Sequence, residues 1–113
     1  MLAKKNRFQG RTTLGLVFRR GVVTRGRSVS ARWLPSDKAD LRAAIVVSRK
    51  ISKSAVVRNR IRRRIYTFLE QHLAQLKTGD LVVTVFDTSL AEAPASELDK
   101  VLSDVLKRAG VLS

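Results

Sequence analysis

The chain has no cysteine, which excludes disulfide frameworks, thiolate zinc sites and cysteine nucleophiles. It has one histidine, His72, placed among Phe68, Leu69 and Leu76, a setting that favours a structural imidazole over a catalytic one. Acidic residues number only nine and are scattered. Asp37 and Asp40 fall in a polar stretch, Asp80 precedes an apolar run and Asp87 ends it, so no clustered carboxylates of the kind a metal-dependent protein nuclease needs are visible. Apolar runs such as 43–47 and 81–83 are too short to cross a membrane. Residues 1–8 are basic, but no apolar stretch follows them, so no secretion signal is expected and the expected location is the cytoplasm.

Positive charge is abundant. The formal net charge is +14 over 113 residues, and it is segregated. Residues 1–69 carry 19 of the 23 basic groups and two acids, whereas 70–113 carry four basic groups and seven acids, a net of −3. Solubility alone gives no reason for such an arrangement; a concentrated positive field suits a polyanion such as nucleic acid. The length suits a single domain spanning 1–113, with 1–11 expected as a flexible basic arm.

Periodicity supplies the elements. Thr12 or Thr13 can cap a first helix carrying Leu14, Val17 and Phe18 and stopped by Gly21. Residues 22–34 read as strand, with Val29, Ala31 and Trp33 alternating with Ser28, Ser30 and Arg32 and a bend or hairpin turn at Gly26. After a polar turn over 35–40, residues 41–48 read as a strand buried on both faces. The period then changes: Val57, Ile61, Ile65, Phe68, Leu69, His72 and Leu76 recur at helical spacing over 54–76. Thr78, Gly79 and Asp80 end that helix, and 81–87 form another strand. A loop containing Pro94 leads to a last helix capped by Ser96, with Leu98, Val101, Leu102, Val105, Leu106 and Ala109 as its apolar stripe and Gly110 as its stop. The order α-β-β-β-α-β-α predicts an α+β sandwich with helices packed on a small sheet.

The long helix carries Arg58, Arg60, Arg62, Arg63 and Arg64 with no acid before Glu70. Its apolar stripe points Val57, Ile61, Ile65 and Phe68 inward, which leaves Asn59, Arg60, Arg62 and Arg63 on the other side or its flanks. A helix that is charged only for solubility mixes signs and prefers lysine with glutamate. Arginine's planar fork instead matches phosphate oxygens in a bidentate way. Just upstream, 48–53 (SRKISK) adds hydroxyls, Arg49, Lys50 and Lys53 at a helix N-terminus, each a phosphate-binding device.

The segment SRKISKSAVVRNRIRRRIYTFLEQH resembles the signature of the bacterial ribonuclease P protein subunit, centred on Arg58-Asn59-Arg60. VFRRG resembles the end of that family's first helix and LVVTVFD its last strand. The resemblance implies an RNA-binding subunit of an endoribonuclease whose catalytic centre is RNA, acting with Mg2+ to remove the 5′ leader of precursor tRNA, the protein itself holding no cofactor or metal. It further implies a mixed sheet with a left-handed β-α-β crossover, opposite to the usual right-handed preference, and one protein per RNA subunit. Arg49, Lys50, Lys53, Arg58, Asn59, Arg60, Arg62 and Arg63 are then expected to contact the RNA subunit. Leu14, Phe18, Arg32, Trp33 and Ser48 are expected to line a cleft for the single-stranded leader. Phe18 also fits a core position, and Leu14 stands where the family usually has an aromatic residue.

Other classes stay open to test. A ribosomal or general RNA-binding protein would use the same helix without preferring a leader. A DNA-binding helix-turn-helix would need a short partner helix before the arginine helix, where the sequence reads strand and loop. An autonomous protein nuclease would have to cleave with all RNA removed.

Overall fold

The computed structural model describes residue 6 and residues 20–36 and 40–112. The expected helix over 12–20, which carries Leu14 and Phe18, lies outside them save for Arg20. Within the stretch expected as a flexible arm, Asn6 is 2% exposed. Its Nδ2 donates to the Leu41 carbonyl at 2.8 Å, so the chain is packed at that point.

Four strands form one sheet: β1 (Val22–Arg25), β2 (Val29–Pro35), β3 (Leu41–Val46) and β4 (Gly79–Val85), in the order β1-β2-β4-β3. β1 and β2 are the antiparallel arms of the expected hairpin. Gly26 N–H closes its turn on the Val29 carbonyl at 2.8 Å, and Ser28 takes the left-handed conformation, φ 69°. β4 is antiparallel to β2 and parallel to β3, which makes the sheet mixed. The connection from β3 to β4 runs through α1 (Ala55–Gln71).

β4 lies inside the sheet between β2 and β3, and its Leu81, Val82 and Val83 are fully buried. β3 differs from expectation. It alternates, with Leu41, Ala43 and Ile45 buried and Arg42, Ala44 and Val46 half-buried. The reason is position: β3 pairs with β4 alone in this sheet, so burial on both faces belongs to its neighbour.

Alternation and register sort the sheet into two faces. Val29, Ala31, Leu41, Ala43, Ile45, Leu81, Val83 and Val85 form one core with Ile61, Ile65, Phe68 and Leu69 of α1 and Leu98, Leu102, Val105 and Leu106 of α3 (Ala95–Ala109). The other face carries Ser30, Arg32, Arg42, Asp80, Val82 and Thr84, with Val23 and Arg25 from β1. There Arg42 and Asp80, directly opposite in register, form a two-pronged pair at 3.0 and 3.2 Å.

The helices differ from expectation at their ends. Ser54 caps α1, its side chain accepting from Val57 N–H at 3.3 Å. The α-helix stops at Gln71, short of Leu76. His72 stacks on Phe68 with ring centroids 4.1 Å apart, and both its backbone N–H and its Nδ1 meet the Phe68 carbonyl. The chain then tightens into one 3₁₀ turn, Leu73–Gln75. Facing a carbonyl, Nδ1 is the protonated donor, and the imidazole is part of the packing.

In the loop before α3 the chain forms a further turn of helix, α2 (Ser89–Glu92), with Leu90 and Ala91 buried. α3 starts after Pro94, whose carbonyl takes the N–H groups of Glu97 and Leu98. Ser96 is therefore inside the first turn instead of capping it. Gly110 ends α3 at φ 87°, as the sequence predicts.

Candidate nucleic-acid interface

The interface begins where β3 ends. Residues 48–50 are exposed, and the Ser48 carbonyl accepts from Ile51 N–H at 3.1 Å in a turn. Ser52 Oγ then accepts from Ser54 N–H at 3.2 Å, which leads directly into the cap of α1. Arg49, Lys50, Lys53, Ala55 and Arg58 line a concavity of about 700 Å³. No acid lines it. Arg58 is half-buried, and its Nη1 reaches the Ser52 carbonyl at 3.4 Å, so it braces the loop against the helix while keeping its charge beside the concavity.

Along α1, Ile61 and Ile65 are completely buried while Asn59, Arg60 and Arg63 are exposed. Arg62 is half-buried, and its Nη1 donates to Asn59 Oδ1 at 2.5 Å, one turn back. The amide thus fixes the direction of one guanidinium. Arg49, Lys50, Lys53 and Arg58 thus share one concavity, and Asn59, Arg60 and Arg63 are exposed on the helix that continues from it.

Two arginines have protein partners that sequence spacing does not reveal. Arg60 Nη1 meets Glu92 Oε1 at 2.6 Å, with the two side chains 55% and 77% exposed. A pair so open to water contributes about 0–1 kcal/mol and gives way readily to a phosphate. Arg64 does something else: its Nη1 donates to the Leu90 carbonyl at 2.5 Å and its Nη2 to the Ala93 carbonyl. It clamps α2 onto α1 and belongs to the scaffold.

Among the residues expected at a leader cleft, Leu14 and Phe18 lie outside the described residues. Ser48 is exposed beside the basic loop. Arg32 and Trp33 point to opposite faces. Trp33 packs half-buried against the core on the helical side, near Gly79 and Gly110. Arg32 lies on the other face, half-buried and hydrogen-bonded or paired. That outer face also holds an aromatic side chain the sequence reading passed over. Phe86 directly follows β4, is 39% exposed, and carries the Arg25 guanidinium 5.0 Å from its ring centroid. The available signal was alternation: with Val85 inward, the next residue falls outward.

Asp87, next to it, is capped. Its Oδ1 accepts from Ser89 Oγ–H at 2.6 Å and Ser89 N–H at 3.0 Å. The Ser89 hydroxyl foremost, then its N–H, Ser28 and the positive field of Arg27, holds the Asp87 carboxyl below its ordinary value despite some loss of hydration.

The family model described as Ribonuclease P matches residues 2–110. The chain belongs to the Ribonuclease P family. The ribonuclease P protein component of Pseudanabaena sp. (strain PCC 6903) is 36% identical over 113 residues, covering 99% of this chain and 97% of that protein. The component from Thermus thermophilus is 39% identical over 95 residues, 83% of this chain, but the match spans only 54% of that longer protein.

Solved ribonuclease P proteins show the same fold. The Staphylococcus aureus protein superposes with a TM-score of 0.85 at 22% identity, covering 96% of this chain and 98% of that one. The Thermotoga maritima protein gives 0.80 at 22% identity, covering 90% and 96%. Ribonuclease P protein components act with an RNA subunit in tRNA 5′ processing, and this chain is of that kind. Among the described residues no helix is long and apolar enough to cross a membrane.

Proposed function

We propose that the loop over 48–53 and the outer side of α1 bind the catalytic RNA subunit, through Arg49, Lys50, Lys53, Arg58, Asn59, Arg60, Arg62 and Arg63. In this reading the sheet face opposite α1 and α3 receives the single-stranded 5′ leader of precursor tRNA, with Arg32 and Ser48 beside its path. The protein binds and positions, as one copy per RNA subunit in the cytoplasm, and hydrolysis belongs to the RNA with its Mg2+. The observation that carries the reading is the division of α1: Ile61, Ile65, Phe68 and Leu69 are buried, while the opposite side presents guanidinium groups whose visible partners are exposed.

Rigidity matters here because arginine side chains held on a packed helix lose less freedom on meeting phosphates than the same groups on a loose tail. The test is reconstitution. Purified protein alone should cleave nothing, and adding it to the cognate RNA at moderate Mg2+ should raise cleavage of leader-bearing precursor tRNA. No stimulation over the RNA alone, with folding verified, would overturn the proposal.

A further inference from the structure

An exposed phenylalanine beside a strongly basic surface needs an explanation. Phe86 N–H donates to the Ser28 carbonyl at 2.8 Å, extending the β2–β4 ladder by one step. With Val85 buried on the helical side, alternation turns the Phe86 ring to the opposite face. Arg25 reaches the same face from β1, where it is in register with Ser30. β3 runs parallel to β4, with Val46 opposite Thr84, so the chain leaving β3 for the basic loop emerges at the same end of the sheet as Phe86. The hairpin turn carrying Arg27 closes at that end too, since Val29 stands opposite Val85. One aromatic ring thus lies between two basic loops. The adjacent Asp87 carboxylate is taken up by Ser89.

We infer that Phe86, with Arg25 laid against it, is a stacking platform for one unpaired RNA base, the phosphates on either side being held by Arg49 and Lys50 and by Arg27. Proteins that bind single strands combine a basic track with an aromatic ring, and arginine adds a cation–π layer to the stack. The inference rests on the RNA-binding reading above and places the ring on the sheet face opposite the one against which Trp33 packs. The base can come from the precursor leader or from the RNA subunit; the chemistry of recognition is the same.

The experiment uses the reconstituted enzyme with wild-type protein, F86L and F86Y. Three affinities are read: holoenzyme for leader-bearing precursor tRNA, holoenzyme for leaderless tRNA, and protein for the RNA subunit. F86L keeps an apolar side chain but removes the ring, and should weaken binding by about 5- to 150-fold; F86Y should restore it. A loss confined to leader-bearing substrate places the base in the leader, and a loss in RNA-subunit affinity places it in that RNA. Wild-type protein should also quench 2-aminopurine in a short single-stranded RNA by stacking, and F86L should not. Wild-type affinities and quenching in F86L, or an F86Y as weak as F86L, would overturn the inference. Failure of wild-type protein to stimulate the RNA at all would instead overturn the proposed function.

Discussion

At the scale of single residues, the structure separates arginines that bind from arginines that build. Arg60 is exposed and loosely paired with Glu92, so Arg60→Ala should weaken RNA binding and flatten its salt dependence while changing folding stability by at most about 1 kcal/mol. Ile61, one position on, is fully buried; Ile61→Ala should cost about 2–5 kcal/mol in urea unfolding. Gly79 marks a different constraint. Its φ is 134°, and a Cβ there would stand 2.5 Å from the Leu34 carbonyl oxygen and 2.8 Å from Trp33 Nε1. Gly79→Ala should therefore destabilise by at least about 1–3 kcal/mol, which thermal unfolding would show. Gly79 was legible in the sequence only as a turn residue; the indole that closes on it comes from a distant strand.

At the scale of elements, α1 was the most legible part of the chain. Its apolar period predicts the buried Ile61, Ile65, Phe68 and Leu69, and the same period fixes which arginines face out. α2 was not legible, because four residues are too few to show a period. It is held by long-range bonds from Arg64, which leave no local signal, and by the Asp87 carboxylate two residues before Ser89. The same limit applied to Trp33 and Arg32: alternation separated them, but which set faces the helices depends on how the sheet packs.

The Asp87 cap carries a pH prediction. A carboxyl whose pKa is lowered by folding contributes stability above its unfolded pKa and loses it as pH falls through the folded value. The stability difference between wild type and Asp87→Asn should thus be present at neutral pH and vanish on acidification below the ordinary value of 3.8. On the outer sheet face, the Asp80 side chain is 6% exposed and held by Arg42. Arg42→Ala leaves that carboxylate buried without its main partner and should cost about 3–5 kcal/mol, well beyond the effect of Arg60→Ala.

At the scale of the whole molecule, folding turns a segregated sequence into a polarised object. Of the acids of the second half, Glu92 lies on α2, Glu97, Asp99 and Asp104 on α3, Glu70 in the last turn of α1, Asp80 on β4 and Asp87 just after it. Glu92 reaches Arg60, but the pairs of Arg42 with Asp80 and of Arg108 with Asp104 engage no residue expected to contact the RNA subunit. This was legible as charge counts, but the sequence could not show that Arg49, Lys50, Lys53 and Arg58 line one concavity.

The most direct test of the account is the salt dependence of affinity for the RNA subunit, compared between wild type and an Arg62→Gln, Arg63→Gln double variant. Each phosphate contact contributes about 0.7–0.9 to the slope of log affinity against log salt. The account predicts a slope shallower by about 1.4–1.8 in the variant, with an unchanged unfolding midpoint. An identical slope in a folded variant would contradict it.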